Sequence, residues 1–149
     1  MKISGDKVLI RRLRKEDADA ISRIHAAITK TPDRNNFKKV FAEHAERTAG
    51  ISFVAEADGE VVGYMISYIL TGGFGIERSA WIAMFGVEPK LMGQGIGKAL
   101  AEETFKFYRE KGIKNIYTSV RWDSTDLLSF FKTLGFERSH FINLRKELD

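Results

Sequence analysis

One segment of this chain narrows its fold more than any other. The apolar run Trp81 to Val87 leads through Glu88-Pro89 into Gly93-Gln94-Gly95-Ile96-Gly97, and a helical pattern follows at once. A strand that feeds a glycine-rich turn and then a helix leaves several backbone N–H groups without partners, at the positive end of the helix dipole. Such a turn is an anion site, most often for phosphate, and glycine lets the main chain close on phosphate oxygens without a Cβ in the way. Strand and helix in this order fit an α/β plan.

The flanking sequence agrees. Val8 to Arg12 reads as a first strand. Lys15-Glu16-Asp17 opens a helix with Ala20, Ile21, Ile24, Ala27 and Ile28 on one face. Thr31-Pro32-Asp33 interrupts the pattern, and a second amphipathic helix follows with Phe37, Val40, Phe41 and Ala45 inward, ending near Gly50. Ile51–Ala57 and Glu60–Leu70 read as strands joined by the hairpin signal Asp58-Gly59. Arg78–Val87 is the next strand, and Ile96 to about Lys111 a helix capped by Gly112. Asn115–Val120 reads as a strand, Ser124–Thr133 as a helix stopped by Gly135, and Glu137–Leu148 as one or two closing strands. No repeat or linker-like stretch interrupts the order βααβββαβαβ(β), so a single domain over residues 1–149 is expected.

Composition serves mainly to exclude. The 149 residues contain no cysteine, which removes disulfides, thiolate nucleophiles and thiolate metal sites; three scattered histidines do not make a zinc site. No metal is expected. The longest apolar stretch, Val61 to Leu70, includes Ser67 and is too short to span a bilayer. Val8-Leu9-Ile10 runs straight into Arg11-Arg12, unlike a secretory leader, so a cytoplasmic location is expected. A formal net charge of +4, spread along the chain with no basic–aromatic motif, does not favour nucleic acid.

Two familiar phosphate loops do not fit. A Walker loop needs Gly-Lys-Ser/Thr, and here Ala99 follows Gly97-Lys98 while Met92 stands at the earlier glycine position. A dinucleotide fingerprint needs G-x-G-x-x-G, whereas Gly93, Gly95 and Gly97 are spaced G-x-G-x-G.

Val87-Glu88-Pro89 followed by Gly93-Gln94-Gly95-Ile96-Gly97-Lys98-Ala99-Leu100 resembles the acetyl-CoA loop of the GNAT superfamily of N-acetyltransferases. The resemblance extends to Ile10–Asp17, the Asp58-Gly59 hairpin, and the ending Phe130-Phe131-Lys132-Thr133-Leu134-Gly135-Phe136. It implies a mixed, mostly antiparallel sheet with a central βαβ crossover and helices on both faces. It further implies that the amides of Gln94, Gly95, Ile96, Gly97 and Lys98 bind CoA pyrophosphate, and that the main chain of Phe85, Gly86 and Val87 meets pantetheine and the acetyl carbonyl. An N–H near Val87 is then the oxyanion donor, a contribution that can reach about 2.7–4 kcal/mol.

Three positions depart from the family pattern. Met92 replaces the usual Arg or Gln at the loop start, Ser124 replaces an Asn, and Phe131 stands where many members carry the Tyr that protonates the departing sulfur. An alkyl thiol has a pKa of about 8.5, so its thiolate is a tolerable leaving group and a missing acid slows the reaction without abolishing it. At pH 7 a lysine-like amine lies about 3.4 units below its pKa, or roughly 4.6 kcal/mol from its nucleophilic form. A route for the amine proton therefore matters more than an acid.

Asp123, after Val120-Arg121-Trp122, fits either contact with the acceptor amine or an N-cap for the Ser124 helix. Tyr117, alternating with Ile116 and Thr118, points into the cleft or packs. Glu77 reads better as an edge carboxylate, His25 as a helix-surface group, His140 as a wall of the acceptor region or a closing-strand residue, and the run Arg11 to Asp17 as a strand end and solvated helix start. The expected activity is direct transfer from acetyl-CoA to a primary amine of unknown identity, by a monomer or homodimer. A non-catalytic acyl-CoA-binding or regulatory domain is the alternative that Phe131 permits.

Overall fold

A computed structural model describes residues 7–30, 37–72 and 77–149. The elements are β1 (Val8–Arg12), α1 (Ala18–Thr29), α2 (Phe37–Thr48), β2 (Phe53–Ala57), β3 (Glu60–Leu70), β4 (Ser79–Val87), α3 (Ile96–Glu110), β5 (Ile116–Thr118) and α4 (Thr125–Thr133). The chain divides into two compact units, Met1–Ser119 and Val120–Asp149.

The first unit holds a five-stranded sheet in the order β1-β2-β3-β4-β5. The first four strands pair antiparallel, and β5 joins β4 in parallel through the α3 crossover. This is the mixed α/β plan expected from the sequence. The β2–β3 hairpin closes through Asp58 (φ 51°) and Gly59 (φ 80°), the left-handed pair that a two-residue turn requires.

Side-chain alternation in β3 divides the two faces. Tyr64 and Ile66 look toward α1 and α2, joining Ile21, Ile24, Phe41, Ala45 and Val54 in the main core. Gly63 looks the other way: a Cβ there would lie 3.1 Å from Ile96 and 3.2 Å from Leu100, both on α3. Helices therefore cover both faces of the sheet. On the α3 face Phe53 meets Phe107 edge-on at 5.9 Å. There, too, the Tyr108 hydroxyl lies 2.6 Å from Ser67 Oγ. Ser67 gives its own proton to the Ile51 carbonyl, so Tyr108 is the donor of that bond.

Two expectations are corrected. In the run from Arg11 to Asp17, Arg12, Arg14, Lys15 and Glu16 are exposed, as a strand end and a solvated helix start require, but Asp17 is not: it is 6% exposed. Arg11 clamps it with two bonds of 2.8 and 2.9 Å, and also bonds Glu56 at 2.6 Å. A carboxylate in such a place must be paired, and the Arg14 amide adds a further bond at 2.8 Å. These two acids hold the Arg11 guanidinium firmly protonated, the Asp17 bond most of all. Second, no strand forms after Thr118 among the described residues. Residues 137–149 are exposed throughout. Ser139 bonds Phe141 and Arg145 pairs with Glu147, both local, whereas a strand exists only by virtue of a ladder with a neighbour.

Candidate active site

β4 is built unevenly. It pairs with β3 along its whole length, Ser79 to Val87, but with β5 only through Ala80, Trp81 and Ile82. The register against β3 slips at Ala83, where Ile66 faces Met84 while Ser67 faces Ile82. This is a bulge: one extra residue that re-aims the strand beyond it. From Ala83 onward the outer edge of β4 has no strand partner among the described residues. Nothing local marks the bulge, since Ala83 fits the apolar run as well as its neighbours.

The direction of the main-chain groups along that edge follows from one bond. The Glu88 N–H donates to the Val62 carbonyl at 2.8 Å, toward β3. Antiparallel alternation then turns the N–H groups of Val87 and Phe85 outward, to the open edge. Gly86 between them directs its own groups inward. Its lack of a side chain has a definite cause: a Cβ there would lie 2.8 Å from Tyr64 Cζ and Oη and from Ile28 Cδ1. The glycine makes room for a tyrosine ring.

At the end of β4 a short turn, Pro89–Leu91, buries Leu91 and leaves Met92 56% exposed. Gly93 and Gly95 follow with φ of 81° and 83°, and Gly95 is the N-cap of α3. No side chain caps this helix, and its first turn carries no acid. The first intrahelical bond joins the Ala99 N–H to the Gly95 carbonyl at 3.0 Å. The N–H groups of Ile96, Gly97 and Lys98 precede that bond and so have no carbonyl within the helix. Ile96 is buried against Gly63, which anchors the turn to the sheet. A Cβ on Gly93 or Gly95 would meet nothing within 4 Å, so the turn has open space beside both glycines. Lys98 is exposed and only loosely paired with Glu102, at 3.9 Å. Unpaired N–H groups, a helix dipole, a lysine and free room fit a diphosphate.

Of the other expected residues, Tyr117 packs: its ring stacks on Trp81 across the β4–β5 pair, centroids 4.7 Å apart at 22°. His25 lies against Phe37 and Phe41 at 4.5 and 5.4 Å, between α1 and α2. Thr31–Asn36 and most of the cluster Thr71–Gly75 fall outside the described residues. In the second unit Asp123 accepts two bonds from Arg121, at 3.0 and 2.9 Å, and these lower its pKa. Ser124 occupies the N-cap of α4 without a side-chain capping bond, so Asp123 is not the cap. Phe131 is buried, with ring contacts to Phe130 and Phe136 at 5.3 and 5.1 Å.

The sequence profile described as the acetyltransferase (GNAT) family matches residues 13–136. The chain belongs to this family. A mycothiol acetyltransferase from Amycolatopsis mediterranei is 30% identical over 131 residues, which is 83% of this chain but 44% of that protein. An N-alpha-acetyltransferase from Sulfurisphaera tokodaii is 29% identical over 140 residues, covering 89% of this GNAT chain and 82% of the relative. Among solved structures, an aminoglycoside acetyltransferase from an uncultured soil sample, in complex with trehalose, superposes with a TM-score of 0.76 at 23% identity. It covers 97% of this chain and 99% of that one. An aminoglycoside N-acetyltransferase in complex with CoA gives 0.74 at 18% identity, with 94% of each chain covered. These likenesses establish the fold. Within the described residues no group of three or more His, Cys, Asp or Glu is placed to hold a metal, and no helix is long and apolar enough to cross a membrane.

Proposed function

We propose that this chain, as a single domain spanning residues 1–149, is an acetyl-CoA-dependent N-acetyltransferase. The observation that carries this reading is the uncapped start of α3 beside the open edge of β4. One stretch of main chain, Phe85 to Lys98, offers outward N–H groups from a strand and then unpaired N–H groups from a helix start. A long ligand with a carbonyl at one end and a diphosphate further along fits both, and acetyl-CoA has that form. The amides of Gln94, Gly95, Ile96, Gly97 and Lys98 hold the diphosphate. The main chain of Phe85, Gly86 and Val87 lines the pantetheine arm, and the Val87 N–H meets the oxygen that becomes negative in the transition state.

The acetyl group passes directly to the acceptor. The amine nitrogen bonds the thioester carbon, the C–S bond breaks, and CoA leaves as thiolate and takes up a proton. The extra proton on nitrogen departs to solvent. A chain without cysteine has no thiolate to carry an acetyl-enzyme intermediate. Asp123, already ionised and held by Arg121, is poorly suited to draw that proton, because a general base works best with a pKa near the operating pH. Phe131 has no hydroxyl for the sulfur, so the thiolate leaves on its own acidity.

The relatives are named for mycothiol and for an N-alpha position, and the test below spans sugar, side-chain and N-terminal primary amines. We place the protein in the cytoplasm, as a monomer or homodimer acting on an amine acceptor with no nucleic acid, membrane or metal. Release of CoA thiol from acetyl-CoA over a panel of glucosamine, lysine methyl ester and a tetrapeptide with free N-terminal alanine tests this reading. Turnover on at least one, with intersecting double-reciprocal plots, is expected. Binding of acetyl-CoA without turnover on any of them favours a non-catalytic acyl-CoA-binding domain, and ping-pong kinetics contradict direct transfer.

A further inference from the structure

Tyr64 is 2% exposed, on the face of the sheet that carries α1 and α2. Its ring meets Phe41 edge-on at 6.1 Å, and its tip lies over Gly86 of the neighbouring strand. Among the described residues its hydroxyl forms no hydrogen bond, which sets it apart from the other deeply buried tyrosine, Tyr108, bonded to Ser67. Every fully enclosed side-chain polar atom described has a partner. An unpaired Tyr64 Oη therefore opens on the little accessible surface that this residue retains. A polar tip carried through an apolar core to such a place is costly unless something there bonds it.

The place is informative. A tyrosine side chain is longer than the roughly 4.8 Å between strands, so from β3 its hydroxyl reaches β4 at Gly86, between the outward N–H groups of Phe85 and Val87. The start of α3 packs on the opposite face, through Ile96 against Gly63. A thioester laid along the edge of β4 from that start shows one side of its carbonyl to α3 and the other to α1. On the acetyltransferase reading the CoA arm runs from the start of α3, which leaves to an attacking group the side where Tyr64 Oη and Ile28 stand.

We propose that the Tyr64 hydroxyl contacts the acceptor amine, accepting its N–H and holding the nitrogen against the thioester carbon. This rests on the acetyltransferase reading above. Burial alone pushes the Tyr64 pKa up to about 12, so the group is a neutral hydroxyl throughout the working range. It bonds the nucleophile without acting as its base, and the amine proton leaves by another route.

Two measurements test this, with whichever amine of the panel the wild type acetylates fastest as acceptor. Tyr64→Phe removes one oxygen and leaves the packing. It is expected to lower kcat/KM for the amine about tenfold, with KM for acetyl-CoA and the melting temperature unchanged. Tyr108→Phe, the control, is expected to lower the melting temperature and leave kcat/KM alone. In wild-type protein labelled with 13C at tyrosine Cζ, the Tyr64 signal is assigned by elimination using Phe variants of Tyr68, Tyr108 and Tyr117. It is expected to shift when the amine is added to the CoA complex. Full activity in Tyr64→Phe, or a signal indifferent to the amine, overturns this proposal and leaves the acetyltransferase reading standing. A wild type that releases no CoA thiol with any amine of the panel overturns both.

Discussion

The ring of Tyr64 fills the space that a side chain at Gly86 would occupy, with Cζ and Oη each 2.8 Å from the ideal Cβ position. Real Cβ contacts are essentially never that short, so the two residues are mutually exclusive with any larger pair. Gly86→Ala is expected to destabilise the fold by about 1–3 kcal/mol, the usual range for overpacking a core. Urea denaturation measures this, and Tyr64→Leu in the same chain should recover part of the loss. Full additivity of the two changes would show that the contact is not the cause.

Arg11 and Asp17 form a buried pair, with side-chain exposures of 15% and 7%. Removing one partner of such a pair strands the other. Arg11→Met is expected to cost about 3–5 kcal/mol, while the double variant Arg11→Met with Asp17→Leu should cost clearly less. Thermal unfolding of the three proteins decides it.

Much of this architecture was legible in the sequence, for identifiable reasons. Asp58-Gly59 set the β2–β3 hairpin because few residue pairs adopt two left-handed conformations in succession. Ile21, Ile24, Phe41 and Ala45 marked their helix faces by spacing, and the glycine cluster announced an uncapped helix start. What escaped notice depends on contacts between distant segments. The Ala83 bulge is a mismatch between two strands, invisible in either alone. Gly86 is required by the ring of Tyr64 on the adjacent strand, a contact that no local pattern shows. Asp17 looked solvated because its burial rests on Arg11, which is fixed between Asp17 and Glu56 only once β1 and β2 are paired. The closing strands anticipated over Glu137–Leu148 have suitable residues, but a strand needs a neighbour that no local pattern supplies.

The Tyr108–Ser67 bond joins α3 to β3 in a buried setting. Burial raises the Tyr108 pKa, and the Ser67 bond partly offsets it. Ser67→Ala leaves the Tyr108 donor unpaired and is expected to cost about 1–3 kcal/mol, whereas pairing it with Tyr108→Phe should cost less than the two losses summed. Chemical denaturation at neutral pH measures both.

Asp123 and Arg121 lie in an exposed ion pair in the second unit. Because Arg121 lowers the Asp123 pKa, the carboxylate stays charged as pH falls through the usual carboxylate range. Asp123→Asn is expected to change the amine kcat/KM by less than about threefold and leave the alkaline limb of its pH profile in place. A loss of kcat/KM of about 100-fold or more in the variant would instead make Asp123 the base.

The cradle at the start of α3 is tested most directly by calorimetric titration of acetyl-CoA into wild type, Gly95→Glu and Gly97→Glu. A glutamate at Gly95 meets a backbone φ of 83° that side chains rarely adopt. At either position it adds a negative charge where the diphosphate binds. Wild type is expected to bind acetyl-CoA, and both variants, still folded by circular dichroism, to show no measurable heat. Undiminished affinity in the two variants would contradict the assignment of the cradle and, with it, the proposed function.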